Sequence, residues 1–540
     1  MTLPWNMLNR LGCKFLTGAA VCSLSLALTA SPVWADEKSE VKELRERLEK
    51  LEKQNQELME LIKNKQGVVP VSNVDTSEKD VRSMVSTILK EQEDKKKAEE
   101  DAKKKQAAAD GSVVGTDLKL NATWNHGLQV ETADKAFKIH VGGRTQIDGV
   151  WMNADDRVMF GPGGVGRVDD GVEFRRGRFL IEGQFYEVFT FACEYDFVNS
   201  FNTANTNVNG VTALVNGPTD LWIQMNQLPV IEHIRVGNQK APIGFEHLTS
   251  SRWLNFMERS FAFDAFIGGL DNGFRPGIQA FGTLADDRIS WAGGVFKNNQ
   301  SVFGFNVGDG EYDVTGRLTA LPVYEADGRC LVHVGLGVSH RDLDNDNVRF
   351  RARTLLRNGP AAAHTTLLNI VLGGDSQTLV VPEFVVVMGP WTVQAEYFGT
   401  WVDGANFPAT NKTDRGTTFY QSAYVEVLYF LTGEHRRYDK KYPRFDRVIP
   451  NENFFLVKDE QGGMAAGWGA WQIGVRYSWI NLNDNNINGG IAQDITLGLN
   501  WFWNPNSKVQ FNYSIGHRDI PTGDSNGNVQ GFGVRYAFDF

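Results

Sequence analysis

The sequence predicts an all-β transmembrane barrel of about 16 antiparallel strands, preceded by a periplasmic α-helical coiled coil. Three observations carry this. The chain ends on a strand with one aromatic face: Phe532, Val534, Tyr536, Phe538 and Phe540 alternate with Gly533, Arg535, Ala537 and Asp539. Period two is the strand period, and an aromatic row facing outward at a chain end suits lipid better than water. The same alternation recurs over the C-terminal three quarters of the chain. The N-terminus combines an export segment with a narrow heptad seam.

From Met1 to Ala35 the sequence has a basic start (Arg10, Lys14), an apolar run from Phe15 to Ala30 and the small-residue frame Val33-Trp34-Ala35. This pattern is that of a secretory signal peptide cleaved after Ala35. Val21 before Cys22 argues against lipidation. No span after Ala30 approaches 18 consecutive apolar residues, so no transmembrane helix is expected. Export and barrel together imply a bacterial outer membrane. There Tyr536, Phe538 and the terminal Phe540 resemble the signal that barrel-assembly machinery reads.

Residues 36–66 carry Val41, Leu44, Leu48, Leu51, Asn55, Leu58 and Ile62, stepping by three and four among Glu, Lys, Arg and Gln. That is an a/d seam over three heptads, with Asn55 at an a position where a buried amide fixes register. So short a helix is marginal alone and needs copies held close by something else. Residues 67–117 read as a charged spacer. Ser77 and Asp80 resemble a capping box, and Glu91 to Lys105 is almost all charge, a solvated helix or a disordered stretch.

Residues 118–540 form the barrel region. Phe189, Phe191, Cys193, Tyr195 and Phe197 alternate with polar or small residues, as do Trp391, Val393, Ala395, Tyr397 and Trp401, and Trp471, Ile473, Val475, Tyr477 and Trp479. Asn504-Pro505-Asn506 and Thr522 to Gly527 supply turn chemistry. Trp and Tyr crowd the strand ends, as interfacial girdles require. A barrel this long encloses an aqueous lumen, whereas eight strands would not. The two cysteines beyond the signal, Cys193 and Cys330, make no disulfide framework.

Charge separates function classes. An acidic net charge of -10 gives no reason to expect nucleic-acid binding. The nine histidines show no metal-ligand spacing, no cofactor motif occurs, and Ser514 and His517 fall on opposite strand faces, so an enzyme is not expected. From Leu118 onward there are 26 Arg against 10 Lys, and the planar guanidinium fork suits phosphate and carboxylate oxygens. The densest group is Glu173-Phe174-Arg175-Arg176-Gly177-Arg178, where alternation puts Arg176 and Arg178 on one face and Phe179 and Ile181 on the other. Lys138, Arg144 and Arg476 lie on other polar strand faces. A second basic group runs from His435-Arg436-Arg437 to Lys440, Lys441, Arg444 and Arg447.

Several segments, in order, resemble one family. They are Gly143-Arg144-Thr145-Gln146-Ile147-Asp148; Phe174 to Arg178 with Glu182-Gly183; Glu194-Tyr195-Asp196-Phe197; Val236 to Glu246; Phe256-Met257-Glu258-Arg259-Ser260; Leu431 to Arg436; and Leu497 to Trp501. Together they resemble the phosphate-selective porins of the O and P type. The resemblance implies a homotrimer of sixteen-stranded barrels whose basic residues lead small inorganic anions into an eyelet. It carries that role to Arg175, Arg176 and Arg178, and more loosely to Lys240. The expected function is thus passive diffusion of small anions, with phosphate as the expected preference. The alternative is a structural tether joining the outer membrane to the periplasm or cell wall through the coiled coil.

Overall fold

The computed structural model describes residues 119–540 apart from 199–206, 209–210, 213–216, 269–272, 298–309, 344–346, 359–363, 408–412, 459–463 and 522. The signal peptide, the coiled coil with Asn55 and the spacer expected at 67–117 lie outside the described residues. Among the described residues no helix is long and apolar enough to cross a membrane.

Sixteen antiparallel strands form the wall. They are β1 (Lys138–Ala154), β2 (Gly171–Phe185), β3 (Phe189–Asp196), β4 (Gly217–Leu228), β5 (Glu232–Lys240), β6 (Phe274–Leu284), β7 (Ile289–Lys297) and β8 (Tyr312–Glu325). Then follow β9 (Cys330–Asp342), β10 (Ser376–Met388), β11 (Trp391–Asp403), β12 (Thr418–Phe430), β13 (Ala470–Asp484), β14 (Ile487–Asn504), β15 (Ser507–Asp519) and β16 (Gly527–Asp539). Each pairs with its sequence neighbours, and β16 returns to β1, from Val529 opposite Ala154 to Asp539 opposite Arg144. The ring is closed and leaves no edge. A hairpin, Leu120–Trp124 with Leu128–Thr132, extends the sheet beyond the start of β1.

The alternation sorts side chains as a barrel in lipid demands. Trp151, Phe179, Ile181, Val236, Ile278, Leu336, Val475, Leu497 and Phe532 are exposed on the outside, while Gln146, Gln239, Glu383, Gln394, Thr496 and Gln510 are buried inside. Strand-end aromatics pack laterally: Trp391 on Tyr429 at 4.5 Å, Trp471 on Trp501 at 4.8 Å and Trp503 on Tyr536 at 5.5 Å between ring centres.

Closure extends past the β16 ladder to Phe540. The Gly143 amide donates to the Phe540 carbonyl at 2.7 Å, and the Phe540 amide donates to the Gly143 carbonyl at 3.1 Å. A Cβ at Gly142 would sit 2.5 Å from the Phe540 carbonyl oxygen, so this approach requires glycine.

Connections at the two ends differ. The end holding residues 186–188, 229–231, 285–288, 326–329 and 389–390 has short turns, which in outer-membrane barrels is the periplasmic end. Two long connections from the other end enter the lumen. Residues 241–273 carry helices Phe245–Leu248 and Phe261–Phe266, with Phe245, Phe256 and Phe261 fully buried. Residues 343–375 carry the hairpin Asn347–Arg353 with Thr366–Gly373. At the short-turn end one connection, 431–469, breaks the rule and also folds inward, burying Tyr438, Phe445 and Val448.

The loop 241–273 lies on a bed of inward side chains from β11 to β16. Glu396 accepts from the amides of Phe245 (2.6 Å) and Glu246 (2.9 Å). Asn512 accepts from the Met257 amide at 2.8 Å, and Ser478 from the Phe261 amide at 3.1 Å. Lys508 donates to the Leu254 carbonyl (2.9 Å), Asn500 to that of Asn255 (2.8 Å) and Arg476 to that of Glu258 (2.8 Å). A loop buried in a barrel must satisfy its backbone somehow, and the wall does it with side chains.

Candidate functional site

The lumen narrows to a cavity of about 1360 Å³, counting its solvent-open part, between the loop 241–273 and the inner faces of β1, β2 and β4–β8. Eleven basic side chains line it (Arg144, Arg175, Arg176, Arg178, Arg235, Lys240, Arg259, Arg317, Arg357, Lys441 and Arg444) against two carboxylates, Asp220 and Glu258.

Strand β2 supplies three arginines by breaking its own alternation. Opposite β1, Gln146 pairs with Arg176 while Ile147 pairs with Phe174, so Arg175 is the extra residue of a β-bulge. Adjacent Arg175 and Arg176 are therefore both turned inward, 4% and 6% exposed. Period two puts Arg175 on the face opposite Arg176 and Arg178.

The three arginines differ in what they meet. Arg175 makes a two-pronged pair with Glu258, Nε to Oε1 at 2.8 Å and Nη2 to Oε2 at 3.1 Å. Arg178 is held by Asp196 at 2.7 Å and Glu194 at 2.9 Å. Arg176 donates to Gln146 at 2.7 Å and comes no closer than 3.8 Å to Glu258. Of the three, its charge is the least compensated. Arg144 pairs with Glu194 and donates to Ser251 at 2.6 Å.

Lys240 is the last residue of β5. Its ammonium donates to the carbonyls of His247 and Thr249, and it stands 5.8 Å from the Phe274 ring. Those partners are neutral backbone carbonyls. Lys138 lies at the short-turn end opposite Gln184, and Arg476 lies behind the loop, over the Phe256 ring at 4.7 Å; neither lines the cavity.

Glu258 is the junction of the constriction. Besides Arg175 it meets Arg535 at 2.9 Å and Arg357 at 3.5 Å. Burial alone would raise this carboxyl; the guanidiniums of Arg175, Arg176, Arg357 and Arg535 outweigh burial and hold it well below the usual carboxylate range. Arg357 also reaches Asp264 at 3.4 Å, and Asp264 is gripped by Arg353. Burial opposes ionisation at Asp264 too, and Arg353 with Arg357 overcome it. These pairs join both inward loops to each other and to the wall.

The segment 431–469 closes the cavity from the short-turn end. The Pro443 carbonyl accepts from Arg317 at 3.0 Å, and the Tyr438 hydroxyl meets the His333 ring at 2.8 Å. The second basic group of the sequence thus brings Lys441 and Arg444 to the cavity wall, and takes Arg436 behind the loop, where it donates to the Trp253 carbonyl at 2.8 Å.

Sequence reasoning assigned no role to Glu258, Arg259 or Arg357. A signal was present in Phe256, Phe261, Phe263 and Phe266, too apolar a set for a solvated loop. Arg235 lies between Ile234 and Val236, and Arg317 between Gly316 and Leu318, and nothing local marks them.

A closed sixteen-strand barrel with a lipid-facing apolar exterior and a charged constriction defines an outer-membrane porin. The family model described as phosphate-selective porin O and P matches residues 146–540, and the chain belongs to that family. It is 27% identical over 443 residues to Porin O of Pseudomonas aeruginosa, covering 77% of this chain and 91% of that protein. It is also 27% identical over 438 residues to an uncharacterized protein of Caulobacter vibrioides, with 77% of each covered. Among solved structures it aligns with an anion-selective porin from Comamonas acidovorans (11% identity, TM-score 0.42, 75% of this chain and 100% of that one). It aligns likewise with OmpT of Vibrio cholerae (10% identity, TM-score 0.42, 75% and 98%).

Proposed function

We propose that the protein is a passive outer-membrane channel for small anions, working as a homotrimer. The carrying observation is the excess of basic over acidic groups on the cavity wall, in a chain whose net charge is negative. Field at a constriction depends on the nearest groups rather than on the whole chain. Much of the compensating acid stands behind the arginines: Glu194, Asp196 and Glu383 are buried in the wall, paired with Arg144, Arg178 and Arg317. Arg176 and Lys240, held by neutral acceptors, are the groups for a passing anion to meet. The family's phosphate label supports phosphate as the preferred solute at these two residues.

At about 4 Å in a partly dehydrated passage, each such charge attracts an anion by a kcal/mol or more, enough to select and weak enough to release. Protein reconstituted in a planar bilayer should show an anion-selective reversal potential in a salt gradient. Arg176→Ala with Lys240→Ala should cut that preference about tenfold and weaken phosphate block of chloride current. An unchanged reversal potential would refute the assignment. A structural tether needs no basic cavity, and the coiled coil on which that alternative rests lies outside the described residues.

A further inference from the structure

We propose that the cavity holds, on the short-turn side of the constriction, a subsite for organic anions carrying a planar unsaturated or aromatic group. Arg235, Phe281, Tyr442 and Arg444 form it. The inference deepens the anion-channel reading and rests on it.

Arg235 is fixed as a flat plate. The Trp222 ring covers it at 4.0 Å, and its Nε donates to Gln224 at 2.8 Å. It has no ion-pair partner among the described residues. Phe281 and Tyr442 stand farther from it, 5.1 and 5.7 Å to their ring centres, and both line the cavity. Arg444 lies 5.3 Å from the centre of the Tyr442 ring and 3.8 Å from Asp439. Two guanidinium forks thus flank two ring walls. Tyr442 and Arg444 come from the inward-folded 431–469 segment, and the Pro443 carbonyl between them is anchored by Arg317.

This wall chemistry suits inorganic phosphate poorly. A bare oxyanion has no apolar surface to place against rings, and an aromatic face repels negative charge. A planar carboxylate satisfies both components. Its oxygens match a guanidinium edge, and its ring packs on Phe281 and Tyr442 while their hydration is released. The cations at the constriction select for charge, and the subsite then discriminates by what the charge is attached to.

The test compares carboxylates of equal charge added from the short-turn side of reconstituted full-length protein. Benzoate should block chloride current at a concentration about tenfold lower than acetate, with cyclohexanecarboxylate between them. Tyr442→Leu and Phe281→Leu should each bring the benzoate-to-acetate ratio close to one, and Tyr442→Phe should keep it. Circular dichroism and heat-modifiable gel mobility would confirm that the variants remain folded. Equal block by benzoate and acetate in a channel that still prefers anions would overturn this inference alone, as would a ratio unmoved by both leucine variants. Absence of any anion preference would overturn the channel reading and this subsite with it.

Discussion

Along β11 to β16 the inward side chains reach the backbone of the loop 241–273; along β1, β2 and β4 to β8 they reach the cavity and one another. Both walls alternate, with β2 breaking step at Arg175, and both carry buried charge. On the loop side, polar groups are spent on backbone partners, as Asn512 is on the Met257 amide and Lys508 on the Leu254 carbonyl. On the cavity side, arginines share carboxylates: Glu194 serves Arg144 and Arg178, and Glu258 serves Arg175, Arg357 and Arg535. One wall positions the constriction, and the other gives it charge. Glu258 belongs to both, since its carboxylate faces the arginines while its carbonyl is held from the loop side by Arg476.

Breaking that junction should have the largest effect. Glu258→Ala leaves buried guanidiniums in mutual repulsion and should cost about 3–5 kcal/mol. The expected outcome is a much lower urea midpoint for unfolding, or a folded channel with noisy, enlarged conductance. Wild-type stability and conductance together would show that the loop is held by its bed alone.

The cavity wall can then be set against itself. Arg178→Ala takes a guanidinium away from both Asp196 and Glu194, costing about 3 kcal/mol and leaving more negative charge beside the cavity. Arg176→Ala removes a cation that only Gln146 holds closely. Arg178→Ala should therefore lower both thermal stability and anion preference, and Arg176→Ala mainly the preference. Equal losses of stability would erase the distinction between paired and available charge.

On the loop side, Asn512→Ala removes the acceptor of a buried amide. About 1–3 kcal/mol should be lost from the loop's seat, read as faster amide exchange confined to the neighbourhood of Met257 with selectivity retained. Loss of selectivity without faster exchange would place Asn512 in the pathway instead.

The smallest effect is with pH. The folded Glu258 carboxyl lies well below its unfolded value of about 4.3, so its stabilisation is complete above that value and is lost as pH falls through the folded one. Melting temperature should stay flat from pH 7 to about 5 and decline only below about 4. A decline beginning near pH 6 would show that histidines govern it.

The wall was legible because lipid and water impose period two on every strand they share, and Trp471, Val475 and Leu497 could be placed outside from the sequence alone. The site was legible only in part. Arg176 and Arg178 follow the alternation, but Arg175 faces inward because of a bulge that one extra residue creates, and no propensity announces it. The constriction was hidden for a different reason. Glu258 is seated by Asn512, Ser478 and Arg476, which lie more than two hundred residues away, so its neighbours in sequence describe little of its setting. The family resemblance drew attention to Phe256 to Ser260, and only the fold gave that stretch a task.

The hydrogen bonds between Gly143 and Phe540 extend the seam of β16 on β1, which joins segments nearly four hundred residues apart in sequence. Contacts so distant carry the largest loop-closure cost in the wall, because every intervening strand must be placed before they can form. Until they do, β1 and β16 both present unpaired backbone, and a half-built subunit is open to pairing with another chain along either border.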